Sequence, residues 1–297
     1  MNTPANPVLS PTRPLYWSIR RELWENRFIY IAPLIVTAVV LVGTALSTIT
    51  LPRRVRALPA LTPAQQHTSL VRPFDMAPAP IMLATFLVGM FYSLDALYGE
   101  RRDRSILFWK SLPVSDRTTV LSKASIPLLA LPLLGFILSL AVTAVLLVLS
   151  TVVLVVNGLS PAPLWRELPL VVHPASMLYG LTVHTLWYAP IFAWFMLVSG
   201  WARRAPVLWA VVPLLLIAAI ERIVLNSGRF IELLTYRVTG AMAEAFMKKG
   251  GHPRVVDRFS ELTPERFLSN AGLWSGLLFA ALCFAAAVRI RHKREPI

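Results

Sequence analysis

An all-α integral membrane protein with six transmembrane helices is the fold class that this 297-residue sequence predicts. Three observations carry the expectation. Apolar residues make up 56% of the chain and charged residues 15%, against about 45–50% and about 25% in soluble domains. The apolar residues fall in blocks separated by short charged stretches. Six of the blocks meet or approach the roughly 20 residues that a helix needs to cross a bilayer core of about 30 Å. A soluble protein this apolar would expose large patches and aggregate, and a disordered chain would be far more polar.

The elements follow in order within one domain, 1–297. Residues 1–27 are expected to be a cytoplasmic tail and an interfacial helix. From Leu15 to Phe28, the apolar residues Tyr16, Ile19, Leu23 and Trp24 alternate with Arg20, Arg21, Glu22, Glu25 and Asn26. That mixture suits a helix lying in the membrane interface, with Trp and Tyr at headgroup level. The spans are expected at 28–51, 78–98, 126–156, 176–200, 206–225 and 271–288. The first run is longer than the apolar core of a signal peptide, so it is read as an uncleaved span. The third is too long for one perpendicular crossing, so it tilts or projects beyond the membrane. Glu221 and Arg222 fall near the end of the fifth, at the interface. Between spans five and six, 226–270 forms the largest extracytoplasmic segment. Its stretch Arg229–Lys249 is helix-like, with Phe230, Leu233, Leu234, Met242, Ala245 and Phe246 as apolar positions, ended by Gly250 and Gly251. Thr263 and Pro264 mark a further helix start.

Charge sets the orientation. The net charge is +14, from 29 Lys and Arg against 15 Asp and Glu. Nucleic-acid binding is excluded in favour of the simpler role of basic clusters beside spans, which fix topology and meet anionic lipid. With both termini and loops 2–3 and 4–5 inside, 16 Lys and Arg lie inside and 13 outside. Placement is more telling than the count. Arg20, Arg21 and Arg27 abut the first span, and Arg101, Arg102 and Arg104 the second. Arg203 and Arg204 fill the 4–5 turn, and Arg289, Arg291, Lys293 and Arg294 follow the sixth span. Both termini are therefore expected in the cytoplasm. The single cysteine, Cys283, forms no intrachain disulfide and is expected to be a small packing residue.

Several chemistries have no counterpart in the sequence. No two of the five histidines lie four apart, so the H-E-x-x-H metal motif is missing. There is no G-x-S-x-G nucleophile elbow. No Lys follows a Gly, so the chain has no phosphate loop for ATP. Asp95 either pairs with a loop arginine or serves a proton path. His184, within the fourth span, is either a structural histidine or a functional one. The rival function classes are an intramembrane enzyme and a membrane assembly or scaffold protein.

The most informative stretch is Tyr98 to Ser115. A short charged loop here contains Ile106, Leu107, Phe108 and Trp109 in succession, then Leu112. A loop has no core of its own to bury them, so they rest on membrane, on other spans or in a partner's groove. Asp103 or Ser105 can cap a short helix that Pro113 ends. Ile106, Trp109 and Leu112 then share one side at i, i+3 spacing, the pattern of helix-in-groove recognition. Interfacial anchoring and partner docking are both open on composition alone.

The acidic–basic run after the second span, the apolar helix, and Leu112-Pro113-Val114-Ser115 followed by Lys123 resemble the permease subunit of an ABC-2 type transporter. Glu100 stands at that family's acidic position and Lys123 at its basic position. Arg104-Ser105 stands where the family commonly has Gly-Thr. The resemblance implies a cytoplasmic coupling helix between spans two and three that docks on a separate ABC ATPase. Glu100, Arg101, Arg102, Arg104, Ile106, Leu107, Phe108, Trp109 and Leu112 are its docking residues, the arginines as rim charges. It also implies a second permease subunit, identical or different, an export function in the bacterial inner membrane, and no catalytic, cofactor or metal residue in this chain. ATP and Mg would sit in the ATPase. Finally, Gly272 and Gly276 form a G-x-x-x-G at the start of the sixth span, with Ala280 a turn later. Close packing within the subunit, a dimer contact, and no special role are all open for it.

Overall fold

A computed structural model describes residues 12–107, 114–246 and 259–293. Among them there is no strand; Phe246 and Leu262 form one isolated bridge. Six helices are long and apolar enough to cross a membrane. The first span is Phe28–Thr48 and the second Pro78–Asp95. The third is Leu131–Val156, entered through Asp116–Ser125 and a π turn at Ile126–Ala130. The fourth is Val172–Trp201, the fifth Pro206–Val224 and the sixth Ala271–Lys293.

Spans four and six form the most extensive helix pair. Small residues make it possible: Ala189 and Ala193 of the fourth meet Ala280 and Cys283 of the sixth, which lets two backbones approach closely. Span two packs on this pair and on spans one and three, with Ala77, Ile81 and Val142 at the shared contact. The fifth span is peripheral, and Ala210 is its one buried described residue. Its exposed Leu, Ile and Val side chains suit a lipid environment, which has no need of a polar face.

Prolines inside spans leave backbone carbonyls short of donors, and hydrocarbon supplies no water to replace them. Pro132 has no N–H for the Leu128 carbonyl four residues earlier; Thr185 Oγ1 of the fourth span donates to that oxygen at 2.8 Å. Near Pro190, the Trp187 carbonyl accepts from Arg237 Nη1 at 3.4 Å. Near Pro213, the Ala210 carbonyl accepts from Trp194 Nε1 at 3.1 Å. Only the Leu128 carbonyl is the one its proline leaves without a donor; the Trp187 and Ala210 carbonyls, three residues before Pro190 and Pro213, take side-chain bonds from neighbouring elements.

The far half of the third span packs against the connections beside it. Its Leu146 and Leu154 pack with Leu70, Val71 and Phe74 of the 1–2 connection and Leu164 of the 3–4 connection. The 1–2 connection is helical over Leu51–Ala57 and Pro63–Met76, which together with Ala162–Glu167 build an apolar cap at one end of the bundle. The cap is hard to see in the sequence, because its apolar residues are spread thinly among arginines, prolines and glutamines.

The 5–6 segment differs from expectation in one respect. Its helix, Arg229–Ala245, ends before Gly250; Phe246 turns extended and pairs with Leu262. Of its named apolar positions, Leu233 and Met242 are exposed and Ala245 is buried, with Gly240 and Ala241 buried beside it. Glu221 accepts from the backbone N–H groups of Arg229 and Phe230 at 3.1 and 2.8 Å, satisfying donors at the start of this helix. Thr263 and Pro264 do begin a helix, Pro264–Ser269.

Gly272 and Gly276 both meet Arg237 of the 5–6 helix. Arg237 lies over the Trp187 ring, 4.7 Å from its centroid, and donates to the Gly272 carbonyl at 2.5 Å. A Cβ on Gly276 would run into the Arg237 guanidinium. Gly276→Leu is therefore expected to eject Arg237 and loosen the 5–6 helix, costing about 1–3 kcal/mol as an overpacking change. Thermal unfolding of the purified chain in detergent checks this, and an unchanged melting temperature contradicts it.

Candidate functional site

The candidate site is the root of the loop between spans two and three. Past Asp95 the chain runs through Ala96 and Leu97 into a short helix, Tyr98–Arg102. The Leu97 N–H donates to Ser199 Oγ of the fourth span at 3.1 Å. Arg101 reaches the same place: its Nη2 donates to the carbonyls of Ser199 and Ala202 at 2.8 and 2.5 Å. These lie at the C-terminal end of the fourth span, where carbonyls lack intrahelical donors and the helix dipole favours a cation. Arg101 thereby caps a neighbouring span.

Glu100 points to the other side and is held by two cations. Lys123 Nζ lies 3.2 Å from one carboxylate oxygen and Arg291 Nη2 3.1 Å from the other. Lys123 in turn bonds Glu22 of the N-terminal helix Thr12–Glu25, at 2.9 Å. Arg21 lies 2.8 Å from Glu22 and 3.7 Å from Glu100. Tyr92 of the second span donates to Glu22 Oε2 at 2.8 Å. Arg291, on the last turns of the sixth span, also bonds Asp116 at the entry to the third. Three anions and three cations alternate, so the cluster is close to neutral. Glu22, Glu100, Lys123 and Arg291 are all buried. Burial alone would raise the Glu22 carboxyl pKa; the Lys123 charge and hydrogen bonds from Lys123, Arg21 and Tyr92 outweigh it and hold the group below its ordinary range.

The N-terminal helix is built for this role. Ser18 and Glu22 face inward and are buried, and Ile19 and Leu23 pack on the core. Tyr16, Trp17 and Trp24 face outward and are exposed. Arg20 stacks over Trp17 and Trp24, 5.3 and 4.5 Å from the ring centroids. One face thus carries the aromatic, basic character of a headgroup-level helix, and the other a single buried acid.

The expected docking residues divide. Glu100 and Arg101 are buried and bonded within the chain, Arg101 to the end of the fourth span and Glu100 to Lys123 and Arg291. Ile106 is buried as well, 2% exposed, and anchors the loop to its own subunit. Leu107, Arg102 and Arg104 are exposed. Arg102 lies 3.8 Å from Asp95, both half exposed, a pairing of small energetic weight. Arg104 has φ 57, in the left-handed region that favours glycine. Ile106 and Leu107 are helical. Phe108, Trp109 and Leu112 lie outside the described residues.

Sequence reasoning did not bring Glu22, Tyr92, Asp116 and Arg291 together. A signal for two of them was present. Glu22 shares its helix face with Ile19 and Leu23 rather than with Arg20 and Trp24. The inward stripe of the sixth span, Leu273, Gly276, Ala280, Cys283 and Ala287, continues at helical spacing onto Arg291. Tyr92 and Asp116 carried none, since their partners are far away in sequence.

Among the described residues, no three His, Cys, Asp or Glu side chains gather as metal ligands. Each acid of the cluster is paired with a cation of the same chain, and the pairs join the N-terminal helix, the loop root, the third span and the sixth. His184 sits among Phe86, Tyr188 and Phe192. No family model, curated protein or solved structure matches the chain. The fold and the site define the chain as a multi-pass, all-helical membrane protein with a loop rooted in a buried ion network.

Removing one partner of a buried pair strands the other charge, at a cost of about 3–5 kcal/mol. Lys123→Met and Glu22→Gln are each expected to destabilise the chain by about that amount. The double variant is expected to cost at least about 1 kcal/mol less than their sum, because the residues share one network. Denaturant titration in detergent checks the cycle, and strict additivity contradicts it.

Proposed function

We propose that the chain is the transmembrane permease subunit of an ATP-driven exporter of the ABC-2 type. A separate ATPase, holding ATP and Mg, docks on the 99–115 loop, and two permease subunits pair to form the pathway. Both termini and this loop face the cytoplasm, in the inner membrane of a bacterium.

The observation that carries the reading is the root of the loop. Arg101 ties it to the end of the fourth span, and Glu100 ties it to the N-terminal helix, the third span and the sixth. A loop that only anchored in lipid needs no such attachment. A loop that receives force from an ATPase does, because a displacement at its tip reaches the spans only through stiff bonds at its base. The left-handed backbone at Arg104 also suits the resemblance, since related permeases commonly have glycine there.

In mechanism, ATP binding closes the ATPase dimer and pulls the two loops. Trp109 and Leu112 form the apolar contact, with Arg102 and Arg104 as the exposed charges that steer docking more than they hold it. Glu100 and Arg101 transmit the motion. Spans two, three, four and six tilt as a unit, and the pathway between the paired subunits opens to the other side.

Gentle purification of the chain from its native membrane is expected to bring down an ATPase bearing a phosphate loop. Trp109→Ala with Leu112→Ala is expected to weaken that association at least about tenfold, as loss of an interface hot spot does. A double variant that retains the ATPase, or a native complex without one, contradicts the reading.

A further inference from the structure

The turn between the fourth and fifth spans leaves a half-open cleft of about 270 Å³, lined by Trp201, Ala202, Arg203 and Trp209. Ala205, at φ 46 and ψ 65, reverses the chain there. Trp201 and Trp209 meet edge to face, with centroids 4.9 Å apart, and both stay partly exposed. Like those of the exposed Trp17 and Trp24, their indole N–H groups have no protein acceptor among the described residues. Trp165, Trp187, Trp194 and Trp274 each donate to a protein oxygen. Arg203 and Arg204 are exposed and have no carboxylate partner among the described residues.

The cleft lies where two membrane-crossing helices end, so it opens at the level of lipid headgroups, where indoles and arginines are favoured. The positive end of the fifth span's dipole adds to the field. Below the cleft, Leu208, Val212 and Leu215 are exposed along the fifth span. A ligand here meets the Arg203 guanidinium, with Arg204 the next residue in the chain, two indole rings and then an apolar surface.

We propose that this cleft binds the phosphate of one anionic phospholipid, whose acyl chains lie along the fifth span. Arg203 takes phosphate oxygens in the forked geometry that guanidinium offers, and Arg204 adds charge. The apolar track favours a lipid over a free anion, which gains nothing from it. The site also touches the loop root, because the Ala202 carbonyl is one of the two that Arg101 caps. The proposal needs only the membrane boundary and is independent of the transporter reading.

The test uses the full chain in detergent, washed free of lipid and titrated with phosphatidylglycerol or with phosphatidylcholine. Native mass spectrometry reads retention. One phosphatidylglycerol is expected to be preferred by about fivefold for each arginine that meets its phosphate, and excess inorganic phosphate is expected to leave it bound. Arg203→Gln with Arg204→Gln is expected to abolish the preference, and Arg203→Lys with Arg204→Lys to keep it. Equal retention of both lipids by the wild type, an unchanged preference in the glutamine variant, or displacement by phosphate overturns the proposal. Should the glutamine variant not fold, the lipid comparison and the phosphate arm on the wild type still decide.

Discussion

Lys123 and Arg291 flank the Glu100 carboxylate at 3.2 and 3.1 Å, and all three side chains are withdrawn from water. Carrying any one of these charges inward alone costs several kcal/mol, so each is tolerable only because the others are present. Satisfying that condition requires four separate pieces of chain to arrive at one place. The N-terminal helix brings Glu22, the second span and the short helix after it bring Tyr92 and Glu100, the entry to the third brings Lys123 and Asp116, and the sixth brings Arg291. The arrangement of one end of the bundle follows from that requirement.

The same economy governs the rest of the membrane-embedded backbone. The carbonyl freed by Pro132 and those left open at the end of the fourth span find their donors on neighbouring elements. Thr185, Trp194, Arg237 and Arg101 each supply a donor to a carbonyl on another helix. In water such carbonyls would be solvated at little cost; in hydrocarbon each one dictates a contact. The helices are therefore held by a few directional bonds placed at irregular points, with small residues such as Ala189, Ala193 and Ala280 setting their separation. The 2–3 loop is fastened by the same kind of bond, which makes its root stiff while Arg102, Arg104 and Leu107 remain on the surface.

Six spans were legible because hydrophobic blocks of the required length announce themselves without reference to partners. The excess length of the third span was also visible, and its purpose, as a wall of the apolar cap, was hidden in loops whose helices carry few apolar residues. The loop itself stood out through Ile106 to Trp109. The roles of Glu100 and Arg101 did not, because a charged residue in a charged loop looks like a surface group until its partners from other spans are known. Arg291 shows the difference well. It looks like one more basic residue after a span, yet it continues the stripe of Gly276, Ala280, Cys283 and Ala287. Gly276 likewise was ambiguous until Arg237, 39 positions earlier in the chain, was found lying against it.

The loop root is expected to move with the elements bonded to it as one mechanical unit. Hydrogen exchange of the wild type and of Glu100→Gln, read by mass spectrometry on the chain in detergent, tests it most directly. The account predicts that protection falls together in 12–25, in 116–125 and in the last turns of the sixth span, while the cap at 51–76 is unaffected. An increase confined to the loop around Glu100 would contradict it.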